Sequence, residues 1–348
     1  MSAEVQTAQL VSPLLRLSVD TTTGRWALED RRSGVRWPAA EGAAAANAAA
    51  FTGRFARHEA TADAAGQPAR LVLTQADGLQ VTFALVDEGR TLELSYAGAA
   101  LGDVRVFEDA LAVTADEGGY AVVPCREGLL LRADSGRSFK RSFGTSEYEG
   151  CHMNMIGLVK RGSALVIHWD DACVFPELQS VLPAAGLASQ RLSTSVLLRG
   201  PARTLRLTPL GPGDWNTIAD GYRRIAETKK LAVTLREKAR REPHADLLAG
   251  AANVKLWTCL ARRMSEDSTR EESVKVHWTF AEAAGIAEHL RRDLQIEKCL
   301  FVIGGWTEGG YDCRHPDNLP ANPECGGNDA LADAVRRIQA LGYVAAFH

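Results

Sequence analysis

Leu300-Phe301-Val302-Ile303-Gly304-Gly305-Trp306-Thr307-Glu308-Gly309-Gly310-Tyr311-Asp312 carries an apolar run of strand length straight into a loop of paired glycines, aromatic rings and carboxylates. On its N-terminal side, Thr279 with Glu282 three residues on forms a capping box, and Ile286, Leu290 and Leu294 supply the apolar stripe of a helix. Before that helix, Val254–Leu260 is another compact apolar run. On the C-terminal side, Asn328 is placed to cap a helix with Leu331, Val335, Ile338 and Leu341 inward and Gly342 as its stop. Tyr343–Phe347 then reads as a third strand. Strand, helix, strand, helix, strand predicts right-handed crossovers and a parallel sheet over residues 251–348. A complete (β/α)8 TIM barrel takes about 250 residues. The expectation is therefore an incomplete barrel, its first three strands present and the rest beyond His348. A small self-contained α/β domain is the alternative.

Upstream the period is two. Leu15, Leu17 and Val19 alternate with Arg16 and Ser18, and polar turns follow at Asp20–Gly24 and Asp30–Gly34. Similar short runs recur up to Leu205–Leu207, which predicts a β-sandwich over residues 10–210. The alanine-rich Ala39–Ala50 reads as a loop or a short helix. From Asp214 the period lengthens, with Trp215, Ile218, Tyr222 and Ile225 at helical spacing, and a charged stretch runs from Lys229 to Arg241. Residues 211–250 are accordingly expected to be a helical connector. The whole is multidomain, β then α/β.

Composition narrows the chemistry. The 348 residues are 46% hydrophobic and 24% charged, as in ordinary globular domains. Forty basic and forty-three acidic side chains give a net charge of −3, which argues against a nucleic-acid partner. The absence of an apolar run of about 20 residues argues against a membrane helix. The start Met-Ser-Ala-Glu-Val-Gln has no basic n-region, and the seven cysteines are an odd number in a large chain. A cytoplasmic protein with reduced thiols is expected.

The loop after Ile303 is where chemistry concentrates. Carboxyl ends of barrel strands form the active face, so Trp306, Asp312 and His315 are expected near a ligand. An indole offers a flat apolar face to a sugar ring, and Asp312 and His315 offer partners for hydroxyls. A purely structural loop, with Trp306 capping the core, fits the same composition. Trp257 either lines the pocket or packs in the core, and Arg262-Arg263 follow it. Gly304-Gly305 lacks the lysine and spacing of a phosphate loop. Cys313, His315 and Cys325 lack the paired spacing of a zinc site, and no cofactor is expected. No nucleophile-elbow or metalloprotease motif occurs. His152 and His168 read as buried, hydrogen-bonded histidines, and Asp170-Asp171 as an acceptor pair at a contact between domains.

Gly305-Trp306-Thr307-Glu308-Gly309-Gly310-Tyr311-Asp312, then His315-Pro316-Asp317, Pro320 and Gly326-Gly327, resembles a barrel segment of α-glycosidases. The likeness is to glycoside hydrolase families 101 and 129, the α-N-acetylgalactosaminidases, and to related uncharacterised bacterial domains. Leu15–Trp37 is similar to the opening hairpins of mutarotase-like β-sandwiches that precede many such barrels. The resemblance implies retaining hydrolysis of α-linked galactosaminides or galactosides, with a nucleophilic aspartate and an acid on later strands, beyond His348. It also implies that Asp312 and His348 hold sugar hydroxyls. The present sequence would then lack turnover of its own. A non-catalytic carbohydrate-binding or surface-interaction protein is the reading from another class. Glycan, linkage and oligomeric state are not legible.

Overall fold

The computed structural model describes residues 7–37, 55–62, 68–98, 102–184, 186–242, 244–267, 269, 271–313 and 316–348. Ala39–Ala50 and His315 lie outside the described residues. The chain divides into two compact units, residues 1–231 and 232–348.

The first unit is built from antiparallel sheets. Its opening meander pairs Thr7–Val11, Leu15–Asp20, Trp26–Asp30 and Val35–Trp37 in order. Registers such as Leu17 opposite Leu28, and Leu28 opposite Trp37, set the alternating apolar residues on one buried face. Turns fix those registers. The Asp20 carboxylate accepts from the backbone N–H of Thr22 and Thr23, and the fully buried Asp30 accepts from Arg32 N and from its guanidinium. Asp30 also accepts from Gly211 N at 2.7 Å, while Arg32 donates to Pro209 O, so one ion pair ties the meander to the neighbouring sheet.

Among the described residues that neighbouring sheet has nine strands, running from Leu129–Arg132 to Phe55–Ala62. A further four-stranded sheet pairs Phe139–Ser142, Val174–Val181, Arg191–Leu198 and Val104–Thr114. The three sheets share one apolar core that includes Trp37, Phe83, Phe107, Phe143 and Trp169. Helix Trp215–Thr228 is started by Asp214, whose carboxylate accepts from Asn216 N and Thr217 N. Its Ile218 packs with Met155, Val159, Ala164 and Val166, against Gly157, where a Cβ would fall 2.7 Å from Ile218. His168 is buried and meets Thr208 Oγ1 through Nε2 at 3.1 Å. Asp170 binds Arg206 and Lys229, all within this unit, and Asp171 accepts from Cys173 N.

The second unit centres on a parallel sheet in the order Ala252–Trp257, Cys299–Gly304, Val344–Phe347. Val254 stands opposite Phe301, Leu256 opposite Ile303 and Ile303 opposite Phe347. Helix Phe280–Arg292 follows the first strand, opened by the Thr279–Glu282 capping box, and helix Gly327–Ala340 follows the second. A closed barrel is not formed among the described residues, because the parallel sheet has three strands.

Two local expectations change. The run Val254–Leu260 is not one strand. The parallel strand ends at Trp257, and Cys259–Met264 turns back to pair antiparallel with Glu271–Val276. The break comes at buried Thr258, whose N–H and hydroxyl both donate to Gly304 O, and whose carbonyl accepts from His277 N and Trp278 N. Asn328 does not cap the last helix. It lies inside Gly327–Ala340, and its side-chain oxygen accepts from Ala321 N at 2.8 Å, while Gly326 holds the cap position at φ +122°.

Candidate functional site

Alternation along the three parallel strands sorts their side chains between two faces. Val254, Leu256, Phe301, Ile303, Tyr343 and Ala345 pack with Phe280, Ala283, Ala287, Leu331 and Ile338 in the core between sheet and helices. Lys255, Trp257, Val302, Ala346 and His348 have the opposite parity and point away from the helices. The chain continues past Phe347 in register: His348 N donates to Ile303 O and His348 O accepts from Gly305 N, each at 3.0 Å. Trp257 and His348 thus stand at the carboxyl ends of the two outer strands, on the helix-free face.

Gly304 between them makes the approach possible. A Cβ there would lie 2.6 Å from the Trp257 ring, so only glycine lets the indole lie across the middle strand. The following loop closes the cluster with a third ring. Tyr311 N donates to Cys259 O, which brings Tyr311 back over the first strand. Ring centroids are then 4.6 Å apart for Trp257 and Tyr311, 5.3 Å for Trp257 and His348, and 5.2 Å for Tyr311 and His348. Trp257 meets Tyr311 edge-on at 82°, a geometry that suits the ring quadrupoles. The Lys255 ammonium sits 4.5 Å from the Trp257 ring centroid. Asp312 comes next, exposed, at φ +53°.

Trp306 is placed differently. Its indole packs on Phe347 at 5.0 Å and joins the sheet–helix core. Phe347 and His348 are consecutive, so Trp306 belongs to the opposite side of the strand from the Trp257–Tyr311–His348 cluster. Of the residues singled out in the sequence, the structure brings together Trp257 and His348, adds Tyr311 to them and sets Trp306 apart. His315 lies outside the described residues. Tyr311 is the ring that sequence reasoning did not single out. Its signal was position, directly before Asp312 and after a glycine pair that turns the chain back.

Backbone and side-chain hydrogen bonds tie the described part of the loop. Gly305 has φ +72°, and a Cβ on it would lie 2.0 Å from Cys259 O. Thr307 Oγ1 donates to Gly310 O, Asn322 N donates to Trp306 O, and Glu308 N donates to Pro320 O. Burial pushes the Cys325 thiol upward, against a hydrogen bond with Thr258. Among the described residues no group of three or more His, Cys, Asp or Glu side chains is placed to hold a metal ion. Also among them, no helix is long and apolar enough to cross a membrane.

No family model matches the sequence, and no curated protein matches it. Solved structures do. The ligand-free α-N-acetylgalactosaminidase NagBb of Bifidobacterium bifidum superposes at a TM-score of 0.76 and 18% identity, over 98% of this chain and 59% of NagBb. Its GalNAc complex gives 0.76 and 20%, over 98% and 58%. The Gal-NHAc-DNJ complex gives 0.74 and 17%, over the same shares. The chain therefore has the fold of a little under three-fifths of NagBb.

Proposed function

We propose that the chain is the sandwich and early barrel portion of a retaining glycoside hydrolase acting on α-linked N-acetylgalactosaminides or galactosides. The observation that carries this reading is the Trp257–Tyr311–His348 cluster at the carboxyl ends of parallel strands, in a fold like that of NagBb. Rings at that position present C–H-binding faces, and His348 and Asp312 present hydrogen-bonding groups for sugar hydroxyls. From the sequence, His315 in the same loop is a further candidate for a sugar hydroxyl, whereas Trp306 packs on Phe347 on the other side of the strand. The two catalytic carboxyls, about 5 Å apart, belong to strands beyond His348. In this reading a mutarotase-like sandwich covers 10–210, a connector 211–250, and barrel strands start from 251.

The test is hydrolysis of an aryl α-N-acetylgalactosaminide by a protein carrying this sequence and a complete barrel. Release of the α-configured sugar, lost in Asp312→Ala, supports the reading. A stably folded complete barrel that binds the sugar without cleaving it identifies a carbohydrate-binding protein instead.

A further inference from the structure

The hairpin of Cys259–Met264 and Glu271–Val276 interrupts the passage from the first parallel strand to its helix. It leaves and returns at one residue. Cys259 follows Thr258 directly, and Thr258 O accepts from His277 N at 2.8 Å and from Trp278 N at 3.2 Å. Thr258 itself follows Trp257, whose ring belongs to the cluster with Tyr311 and His348. The backbone of Trp278 is therefore fixed beside the carboxyl end of the first strand, the end at which such sheets meet their ligands.

The Trp278 side chain does not pack as a structural residue would. Val276 and Phe280, two residues to either side, join the sheet–helix core, and Trp278 does not. A hydrophobic residue just before a helix cap commonly packs on the fourth helical position, which here is Ala283. Ala283 is fully buried in the core, whereas Trp278 is 41% exposed, and among the described residues its indole has no ring or hydrogen-bond partner. Leu260, 43% exposed, lies where the hairpin register shifts, an irregularity that re-aims a side chain out of the ladder. His277 is exposed as well. All three lie within two residues of Thr258, along the chain or across one hydrogen bond.

Granted the glycosidase reading, on which this rests, we propose that Trp278 is the platform of a second saccharide subsite, flanked by Leu260 and His277. The cluster of Trp257, Tyr311 and His348 takes the terminal α-linked galactosaminide, and Trp278 takes the sugar to which it is joined. The substrate class is then an oligosaccharide rather than a glycosylated peptide. An indole face matches the C–H face of a hexose, Leu260 extends that apolar surface, and the imidazole offers a donor or an acceptor to a ring hydroxyl. An extended peptide is held through main-chain bonds. Here Thr258 O, His277 N and Trp278 N already bond one another, so side chains are what this ledge presents.

The isotope-labelled 348-residue chain is titrated with three probes while its indole resonances are followed. These are N-acetylgalactosamine, its α-linked disaccharide with galactose, and the same sugar α-linked to serine in a short peptide. The disaccharide should shift Trp278 and Trp257 together, whereas the other two should shift Trp257 alone. It should bind about tenfold more tightly than the monosaccharide, the gain expected of one stacked ring, and Trp278→Ala should lose that gain. Should that variant not fold, the wild-type shifts decide alone. A disaccharide that shifts Trp257 without Trp278, equal affinities for disaccharide and monosaccharide, or a shift of Trp278 by the glycopeptide would overturn the proposal and leave the glycosidase reading standing. No shift of Trp257 with any probe would sink both.

Discussion

His168 is buried, its Nε2 shares a hydrogen bond with Thr208 Oγ1, and its pKa is lowered to about 3, first by burial and then by the Lys229 and Arg206 cations. Between that value and the ordinary 6.5, the unfolded chain takes up a proton that the folded chain refuses. Stability is therefore complete above about pH 6.5 and falls as pH drops toward 3, by up to about 1.4 kcal/mol per pH unit from this residue. Urea midpoints measured between neutral and mildly acid pH should fall more steeply for the wild type than for His168→Gln. Parallel slopes would contradict the assignment. Lys160 is the opposite kind of buried base. Its ammonium has no hydrogen-bond partner among the described residues and lies 4.5 Å from the Trp37 ring centroid, with its pKa lowered to about 8 by burial. A cation–π contact offsets only part of the desolvation of an ammonium. Lys160→Met should raise unfolding free energy by about 1–3 kcal/mol, and a lowered urea midpoint would show that the charge stabilises the core.

Helix starts and hairpin turns are coded locally, and they were legible. Thr279 and Glu282 satisfy each other's backbone donors within four residues, so the capping box needs no knowledge of the rest of the fold. Thr279→Ala should cost about 1 kcal/mol in urea unfolding, with no change in the strand content seen by circular dichroism. Other features depend on partners distant in sequence. The apolar run from Val254 conceals the break at Thr258, because that break is fixed by Gly304 and Gly305 carbonyls on another strand. Asn328 has the right residue type for a cap but finds Ala321 N instead. Gly305 illustrates the same dependence. A side chain there would meet Cys259 O and would hold a left-handed backbone at a cost of about 1–3 kcal/mol. Gly305→Ala should destabilise the second unit by at least that amount. Stability close to the wild type would mean that the loop repacks freely.

At the scale of the molecule, the β-to-α/β order of the chain was legible because period and turn residues report it directly. The nine-stranded sheet order was not, since it pairs Thr204–Pro212 with Thr91–Ala97 across the whole unit. The site was legible as a loop and only partly as a geometry. Strand parity, invisible until Trp257, Phe347 and His348 are in register, separates Trp306 from the cluster that Tyr311 completes. The central claim is that this cluster receives a sugar. Titrating N-acetylgalactosamine into the isotope-labelled chain and following the tryptophan indole and histidine ring resonances tests it most directly. The account predicts saturable shifts of Trp257 and His348, absent in Tyr311→Ala, with Trp26, Trp37 and Trp169 unmoved. Shifts confined to the first unit, or none at concentrations that saturate a weak sugar site, would contradict it.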